Sequence, residues 1–196
     1  MDKKIILLFT LLGSNVQSAS NLSPWLEIKP SYFFCTSTPL KDIYHHGGFE
    51  LQGSVSAPVC KHLDFYGSIG YRHLSGHALN TDEKTKLTVV PLDIGLKPIF
   101  NWGESLYYFL AFGPRFFYFN QHNDSSYVDR KTNRGGVGLF VNTGFNLLFA
   151  NGFLLGIFGE YSYEKGSISP RMSNVFSGGS IQLGGFAFGL SVGREF

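Results

Sequence analysis

Hydrophobic and polar residues alternate along most of the chain that follows its first twenty residues. The pattern is clearest in residues 186–196, where Phe186, Phe188, Leu190 and Val192 are separated by small or polar residues. A period of two residues predicts a β-strand with one apolar face and one polar face. The eight segments that show it are residues 25–35, 49–57, 63–73, 87–100, 106–120, 136–149, 153–163 and 186–196. We therefore predict an all-β chain with eight antiparallel strands.

The composition agrees with this prediction. The 196 residues include 20 Phe, 10 Tyr and 24 Gly but only two Met, and no helical periodicity is visible beyond the amino-terminal segment. The formal net charge is only +2. Nothing in the charge indicates a nucleic-acid partner.

The first 18 residues have the organisation of a secretory signal peptide. Lys3 and Lys4 precede an apolar run at residues 5–12, and small or polar residues follow it. The run is too short to cross a membrane, for which about 20 residues are needed. We predict a signal peptide over residues 1–18, cleaved after Ser18, and one domain over residues 19–196.

The predicted connections alternate in length. Those after the second, fourth and sixth segments are short (residues 58–62, 101–105 and 150–152), whereas those after the odd-numbered segments are longer. Transmembrane β-barrels of the outer membrane have short periplasmic turns and long outer loops. We therefore predict an eight-stranded up-and-down barrel with both chain ends on the side of the short turns.

In this pattern the chain resembles the small eight-stranded outer-membrane barrels of bacteria, of the opacity and attachment or invasion type. The resemblance rests on the strand count, the alternating connections, the run Ile94 to Lys97 preceded by Pro91, and the terminal Phe196. It implies an integral protein of the bacterial outer membrane, surrounded by lipid and lipopolysaccharide. It also implies that the assembly machinery recognises the last strand, and that the long loops engage host or envelope proteins without performing chemistry.

Nine charged residues fall on the polar faces of the predicted strands. They are Glu27, Lys29, Glu50, Asp64, Arg72, Asp93, Lys97, Arg115 and Glu160. An eight-stranded barrel is only wide enough for its own side chains. If these faces point inward, we expect a lumen plugged by ion pairs and hydrogen bonds, and no pore for solutes.

Aromatic residues near the strand ends are expected to form belts at the two membrane interfaces. They are Trp25, Phe49, Phe65, Tyr71, Trp102, Tyr118, Phe149, Phe153 and Tyr163.

Two features do not fit regular strands. Pro30 and Pro91 predict local bulges or displaced strand limits, because proline removes a ladder donor, whereas Pro98 and Pro114 are expected near the rims. Ile181 and Leu183 are out of phase with Phe186, and a bulge at residues 184–185 would restore the phase.

The strongest catalytic candidate is the run from Arg72 to Ser75. Residues two apart on a strand project to the same side, so that His73 can deprotonate Ser75. The pair resembles the His-x-Ser element of lipid A deacylases, although Gly76 stands where that family has Asn, and the orienting acid would be Glu83. We assign no catalytic residue and keep a lipid A acyl hydrolase as an alternative. A secreted, soluble ligand-binding barrel is a second alternative.

Other chemistry is not indicated by the sequence, and we predict no cofactor and no metal site. The loop histidines His45, His46, His77 and His122 have no ligand spacing that specifies a metal. Cys35 and Cys60 are expected a strand length apart, too far for a disulfide between them. The long loops carry the basic residues Lys84, Lys86, Arg130, Lys131 and Arg134. Either these residues contact lipopolysaccharide headgroups, or they only keep the loops soluble.

Overall fold

In a computed structural model, the chain forms one closed antiparallel barrel. The structure describes residues 23–44, 47–77, 84–102, 105–123, 131–167 and 180–196. The strands are β1 (Trp25–Cys35), β2 (Gly48–Cys60), β3 (Leu63–His77), β4 (Lys84–Asn101), β5 (Leu106–Asn123), β6 (Lys131–Leu148), β7 (Phe153–Ser167), β8 (Ser180–Gln182) and β9 (Gly185–Glu195). β8 and β9 pair with β7 in one register and act as a single interrupted strand. The predicted eight-stranded up-and-down barrel is therefore confirmed.

The barrel closes where its first and last strands meet. Each strand pairs with the next along the chain, and β1 pairs with β9 from Trp25 opposite Glu195 to Cys35 opposite Gly185. Closure satisfies the backbone donors and acceptors that a free sheet edge would leave unpaired. The predicted signal peptide, residues 1–18, lies outside the described residues and stays a prediction.

The two ends of the barrel differ in their connections. The turns after β2, β4 and β6 span residues 61–62, 102–105 and 149–152, and we call this the short-turn end. In the last of these turns Gly152 has φ of 77°, a conformation that glycine adopts without a steric penalty. At the opposite, long-loop end several strands continue beyond the predicted segments, so that the connections after β3 and β5 shorten to residues 78–83 and 124–130.

A short helix, α1 (Thr38–Ile43), follows β1 and was not predicted from the sequence. Ser37 occupies its N-cap position and a proline lies in its first turn, where proline suits the helix geometry. The side chains of Leu40, in the helix, and Tyr44, directly after it, are buried at the long-loop end of the lumen. No helix among the described residues has the length and apolarity required to span a membrane.

The strand prolines do not produce the expected bulges. Pairing of β1 with β9 skips Lys29 and Pro30 and then resumes in the same register, and Pro91 interrupts the β3–β4 pairing in the same way. Each proline thus removes ladder contacts on one side without shifting the strand. Pro114 lies in the middle of β5, not near a rim.

The bulge expected at residues 184–185 is also absent. Lys165 pairs with Gln182 and Tyr161 with Phe186, which is one continuous register. Leu183 is out of phase with Phe186 because its side chain points into the lumen, where it is buried. Within the described strands, a register shift occurs between Pro58 and Cys60 of β2.

Candidate functional site: the sealed lumen and the outer wall

The inward faces of the strands carry the charged residues that the sequence assigned to them. All nine are at most 5% exposed, while the apolar residues between them face outward. Glu164 is a tenth buried charge, which the prediction missed because the seventh segment was ended at residue 163. The orientation of the two strand faces is therefore as predicted.

Arg115 is the centre of the largest polar network in the lumen. Its Nε and Nη2 donate to the two carboxylate oxygens of Asp93 at 2.6 and 2.7 Å, a bidentate pair. Nη2 also donates to Glu160 at 2.6 Å and Nη1 to Glu164 at 3.1 Å. One guanidinium on β5 thus holds carboxylates from β4, its neighbour, and from β7, two strands further round the barrel.

Arg72 extends this network toward the long-loop end. Its Nε donates to Glu50 at 2.8 Å, and its Nη1 donates to Glu164 at 3.1 Å, so that Glu164 is shared with Arg115. The Arg72 guanidinium carbon lies 3.6 Å from the centre of the Phe33 ring. These contacts join β2, β3 and β7 through side chains alone.

A second charged cluster surrounds Glu27 nearer the short-turn end. Lys97 Nζ donates to Glu27 at 2.8 Å, and Asn146 donates to the other carboxylate oxygen at 3.1 Å. Lys29 Nζ lies 3.8 Å from Glu27 and within 5.2 Å of the ring centres of three aromatic residues. They are Tyr66, Phe109 and Phe158.

Apolar side chains close the lumen on both sides of the charged clusters. The layer at the long-loop end is Phe33, Cys35, Leu40, Tyr44, Leu74, Leu87, Val89, Phe117, Phe119, Leu183 and Ala187. The layer at the short-turn end is Trp25, Ile99, Phe109, Leu154 and Phe158. In the first layer the Tyr44 hydroxyl lies 3.3 Å from the Thr85 hydroxyl, and burial raises the pKa of Tyr44 to about 12.

The outer wall is apolar over most of its height. Eight of the nine predicted belt aromatics are exposed on it, from Phe49 and Tyr71 to Trp102 at the short-turn end. Trp25 is the exception, because it lies on the inward face of β1 and is only 6% exposed. Its assignment to a belt was wrong, because Trp25 is two residues from Glu27 and therefore shares the inward face of β1 with it.

The candidate catalytic pair is brought together on this outer wall. His73 and Ser75 point outward near the long-loop end of β3, and the Ser75 hydroxyl lies 3.2 Å from His73 Nε2. His73 Nδ1 lies 3.3 Å from the Thr88 hydroxyl of β4. An imidazole at this distance can act as a general base on a serine hydroxyl. The orienting group is a hydroxyl, whereas hydrolase triads use a carboxylate or amide.

Not all of the remaining candidates can be located in the structure. Glu83, His45, His46 and Arg130 lie outside the described residues. His77 ends β3, His122 lies near the end of β5, and Lys131 begins β6. Among the described residues, no three potential ligands form a group that would hold a metal ion.

The cysteines lie at opposite ends of the barrel. Cys35 is buried at the long-loop end of β1, whereas Cys60 is exposed beside the turn after β2. Both are free.

No protein-family model matches the sequence, and no curated protein sequence matches it. The structure is similar to the crystal structure of Neisserial surface protein A (NspA), with 13% identity, coverage of 88% of this chain and 97% of that chain, and a TM-score of 0.57. It is also similar to Ail, the attachment invasion locus protein of Yersinia pestis, in complex with the heparin analogue sucrose octasulfate. The identity there is 10%, the coverage 89% of this chain and 99% of that chain, and the TM-score 0.55.

The chain has the fold of the small outer-membrane barrels. The expected location in the bacterial outer membrane agrees with this fold and with the apolar outer wall. The outer membrane enzyme PagL is a more distant neighbour, with 15% identity, coverage of 87% of this chain and 99% of that chain, and a TM-score of 0.48. Structural similarity at this level gives no evidence that the two proteins share an enzymatic activity.

Proposed function

We propose that this outer-membrane barrel has a structural or adhesive role at the cell surface and does not conduct solutes. The observation that carries the proposal is the sealed lumen, in which two charged clusters lie between two apolar layers. A solute crossing the barrel would have to displace buried arginines from carboxylates on several strands. Because side chains fill the lumen, we assign contact with host or envelope partners to the long-loop surface.

The structural neighbours support a surface role. NspA is named as a surface protein, and Ail as an attachment invasion locus protein that binds a heparin analogue. We infer that the long-loop end of this barrel engages a host or envelope component. Recognition of the last strand and of the exposed Phe196 that follows it by the assembly machinery remains a prediction.

Two measurements test this proposal. In a planar lipid bilayer the purified full chain should show no large, stable single-channel conductance, and such a conductance would refute the sealed lumen. Replacing residues 168–179, the connection after β7, with a short Gly-Ser linker should reduce adhesion of expressing cells to host cells. The variant should keep heat-modifiable gel migration, which shows that the barrel still folds. Unchanged adhesion after replacement of all four long connections in turn would refute a loop-borne role.

The hydrogen bond between His73 and Ser75 favours a second candidate, a lipid acyl hydrolase. The pair faces outward near the membrane interface, where an ester of an outer-leaflet lipid is within reach. In this mechanism His73 removes the hydroxyl proton, and the Ser75 oxygen attacks the ester carbonyl. The ester C–O bond breaks, the lipid hydroxyl leaves with the proton from His73, and an acyl-enzyme remains. Water, deprotonated by His73, then hydrolyses the acyl-enzyme to release the fatty acid and restore Ser75. Ser75→Ala should abolish fatty-acid release from lipid A, whereas His77→Ala, on the same strand end, should leave it unchanged. No release by the wild type refutes this candidate alone.

A secreted ligand carrier is not supported by the structure. Its lumen would have to accommodate a ligand, but that space is filled by side chains. Its exterior would also face water, whereas the outer wall exposes residues such as Ile69 and Ile157, each 59% accessible.

A further inference from the structure

A groove runs across the outer wall at the long-loop end of β3, β4 and β5. We call it the His73 groove, and it is lined by His73, Lys86, Thr88, Tyr118, Asn120 and His122, with Val90 at its lower edge. All of these residues occupy outward positions of their strands. The groove therefore opens toward the surroundings of the barrel and has no connection to the lumen.

The strand registers arrange the groove in rows of increasing apolarity. Nearest the long-loop end, Ser75 lies beside Lys86 and Lys86 beside His122. The next row is His73, Thr88 and Asn120. Below it Val90 lies beside Tyr118, and below that Leu92 beside Phe116. The rows change from polar to apolar as a lipid molecule does between headgroup and acyl chains.

The charges on the outer wall are of one sign. Every acidic residue on the described strands has an inward position: Glu27, Glu50, Asp64, Asp93, Glu160, Glu164 and Glu195. Outward positions carry cations instead, and two of them, Lys84 and Lys86, lie in or beside the groove. An anion in the groove would thus meet positive charge and hydrogen-bond donors without an opposing carboxylate on these strands.

We propose that the His73 groove binds the phosphate-bearing headgroup of an anionic membrane lipid. The Lys86 ammonium pairs with the phosphate, while Thr88 and Asn120 donate hydrogen bonds to the headgroup. The acyl chains descend along Val90 and Tyr118 toward Leu92 and Phe116. This site does not depend on the proposed surface role, and it requires no reaction at Ser75.

The proposal selects a lipid over a peptide or a free anion for two reasons. A free anion would gain nothing from the apolar rows directly below the polar ones. A soluble peptide would have to displace the lipid that covers exposed Tyr118 and Phe116. A lipid already present in the membrane satisfies both halves of the groove at once.

The experiment uses the full chain in an uncharged maltoside detergent, with the histidine rings labelled for nuclear magnetic resonance. Dihexanoyl phosphatidic acid is the probe, and dihexanoyl phosphatidylcholine and inorganic phosphate are the comparisons. We expect saturable shifts of the His73 and His122 ring signals with phosphatidic acid, and at least about tenfold weaker responses with the other two. The signals are assigned with His73→Gln and His122→Gln.

Two lysine variants provide the decisive comparison. Lys86→Gln should weaken phosphatidic acid binding about 1.5-fold to fivefold, the range expected for one ion pair at an exposed site. Lys165→Gln removes an exposed outward lysine near the long-loop end of β7, on another part of the wall, and should leave binding unchanged. Equal weakening by both variants, or saturation by inorganic phosphate at the same concentration, overturns the proposal. Absence of shifts at His73 and His122 also overturns it.

Discussion

Arg115 is the residue whose removal should most severely damage the barrel. It is fully buried and donates hydrogen bonds to Asp93, Glu160 and Glu164. Arg115→Leu places an apolar side chain at this position and leaves three buried carboxylates without this cation. Removing one partner of a buried ion pair costs about 3–5 kcal/mol. Because three carboxylates lose their partner together, we expect the upper end, about 5 kcal/mol.

Equilibrium unfolding in urea, with the protein inserted in phosphatidylcholine vesicles, measures this free energy. Arg194→Leu is the matched control, since Arg194 is an exposed outward arginine at the short-turn end. Its loss should change the free energy of unfolding by less than about 0.5 kcal/mol. The comparison separates loss of the network from the general effect of removing an arginine.

The interaction itself is tested by combining Arg115→Leu with Asp93→Leu. Because the second change removes a carboxylate left unpaired by the first, the double variant should be more stable than the sum of the two effects by about 2 kcal/mol or more. A cost below about 1 kcal/mol for Arg115→Leu would show that the network does not stabilise the barrel. Strict additivity would show that Arg115 and Asp93 do not interact.

Three further predictions concern the wall and the short-turn layer. Ile157→Lys places a charge on the lipid face of β7 and should cost about 2–4 kcal/mol in the same urea assay, against no loss in a soluble barrel. Brominated lipids should quench the fluorescence of Trp102, which is 71% exposed, and not that of Trp25, as single-tryptophan variants would show; equal quenching would contradict the inward position of Trp25. Leu154→Ala should cost about 2–5 kcal/mol because Leu154 is fully buried in the short-turn layer, and a neutral effect would mean that this layer is loosely packed.

The strands, and the direction in which each of their two faces points, were predictable because one local rule determines both. Each residue meets either the surroundings or the lumen, and the two differ in polarity, so that alternation appears in every strand. The ion pairs were predictable only as a group. The sequence places Arg115 and Asp93 on inward faces, but their bidentate contact depends on the pairing of β4 with β5.

The wrong assignments of Trp25 and of the bulge at residues 184–185 share one physical cause. The alternation rule takes inward residues to be polar, whereas the lumen is apolar at both ends. Trp25 and Leu183 are inward residues of those two layers, and each was treated as if an apolar side chain had to face outward. The same effect makes β5 aromatic on both faces, since Phe117 and Phe119 point inward while Phe116 points outward. Helix α1 was missed because its six residues are too few to show a period.

The site around His73 and Ser75 on the outer wall was predictable in part. The spacing of His73 and Ser75 puts both side chains on one face of β3, and the structure brings them to 3.2 Å. Lys86 and His122 belong to the same surface only because of the registers of β4 and β5, which no local pattern specifies. A site assembled across three strands is therefore not visible before the barrel is closed.

Because the outer wall and the lumen carry separate sets of side chains, residues of the His73 groove can be substituted without disturbing the contacts in the lumen. The inward contacts of Arg115 and Leu154 stabilise the barrel, whereas His73, Lys86 and Thr88 point away from these contacts. Substitutions in the His73 groove should thus change lipid binding or hydrolysis while the free energy of unfolding stays within about 0.5 kcal/mol of the wild type. A groove variant that loses binding and stability together would show that the wall residues are part of the fold, and that the groove is not an independent site.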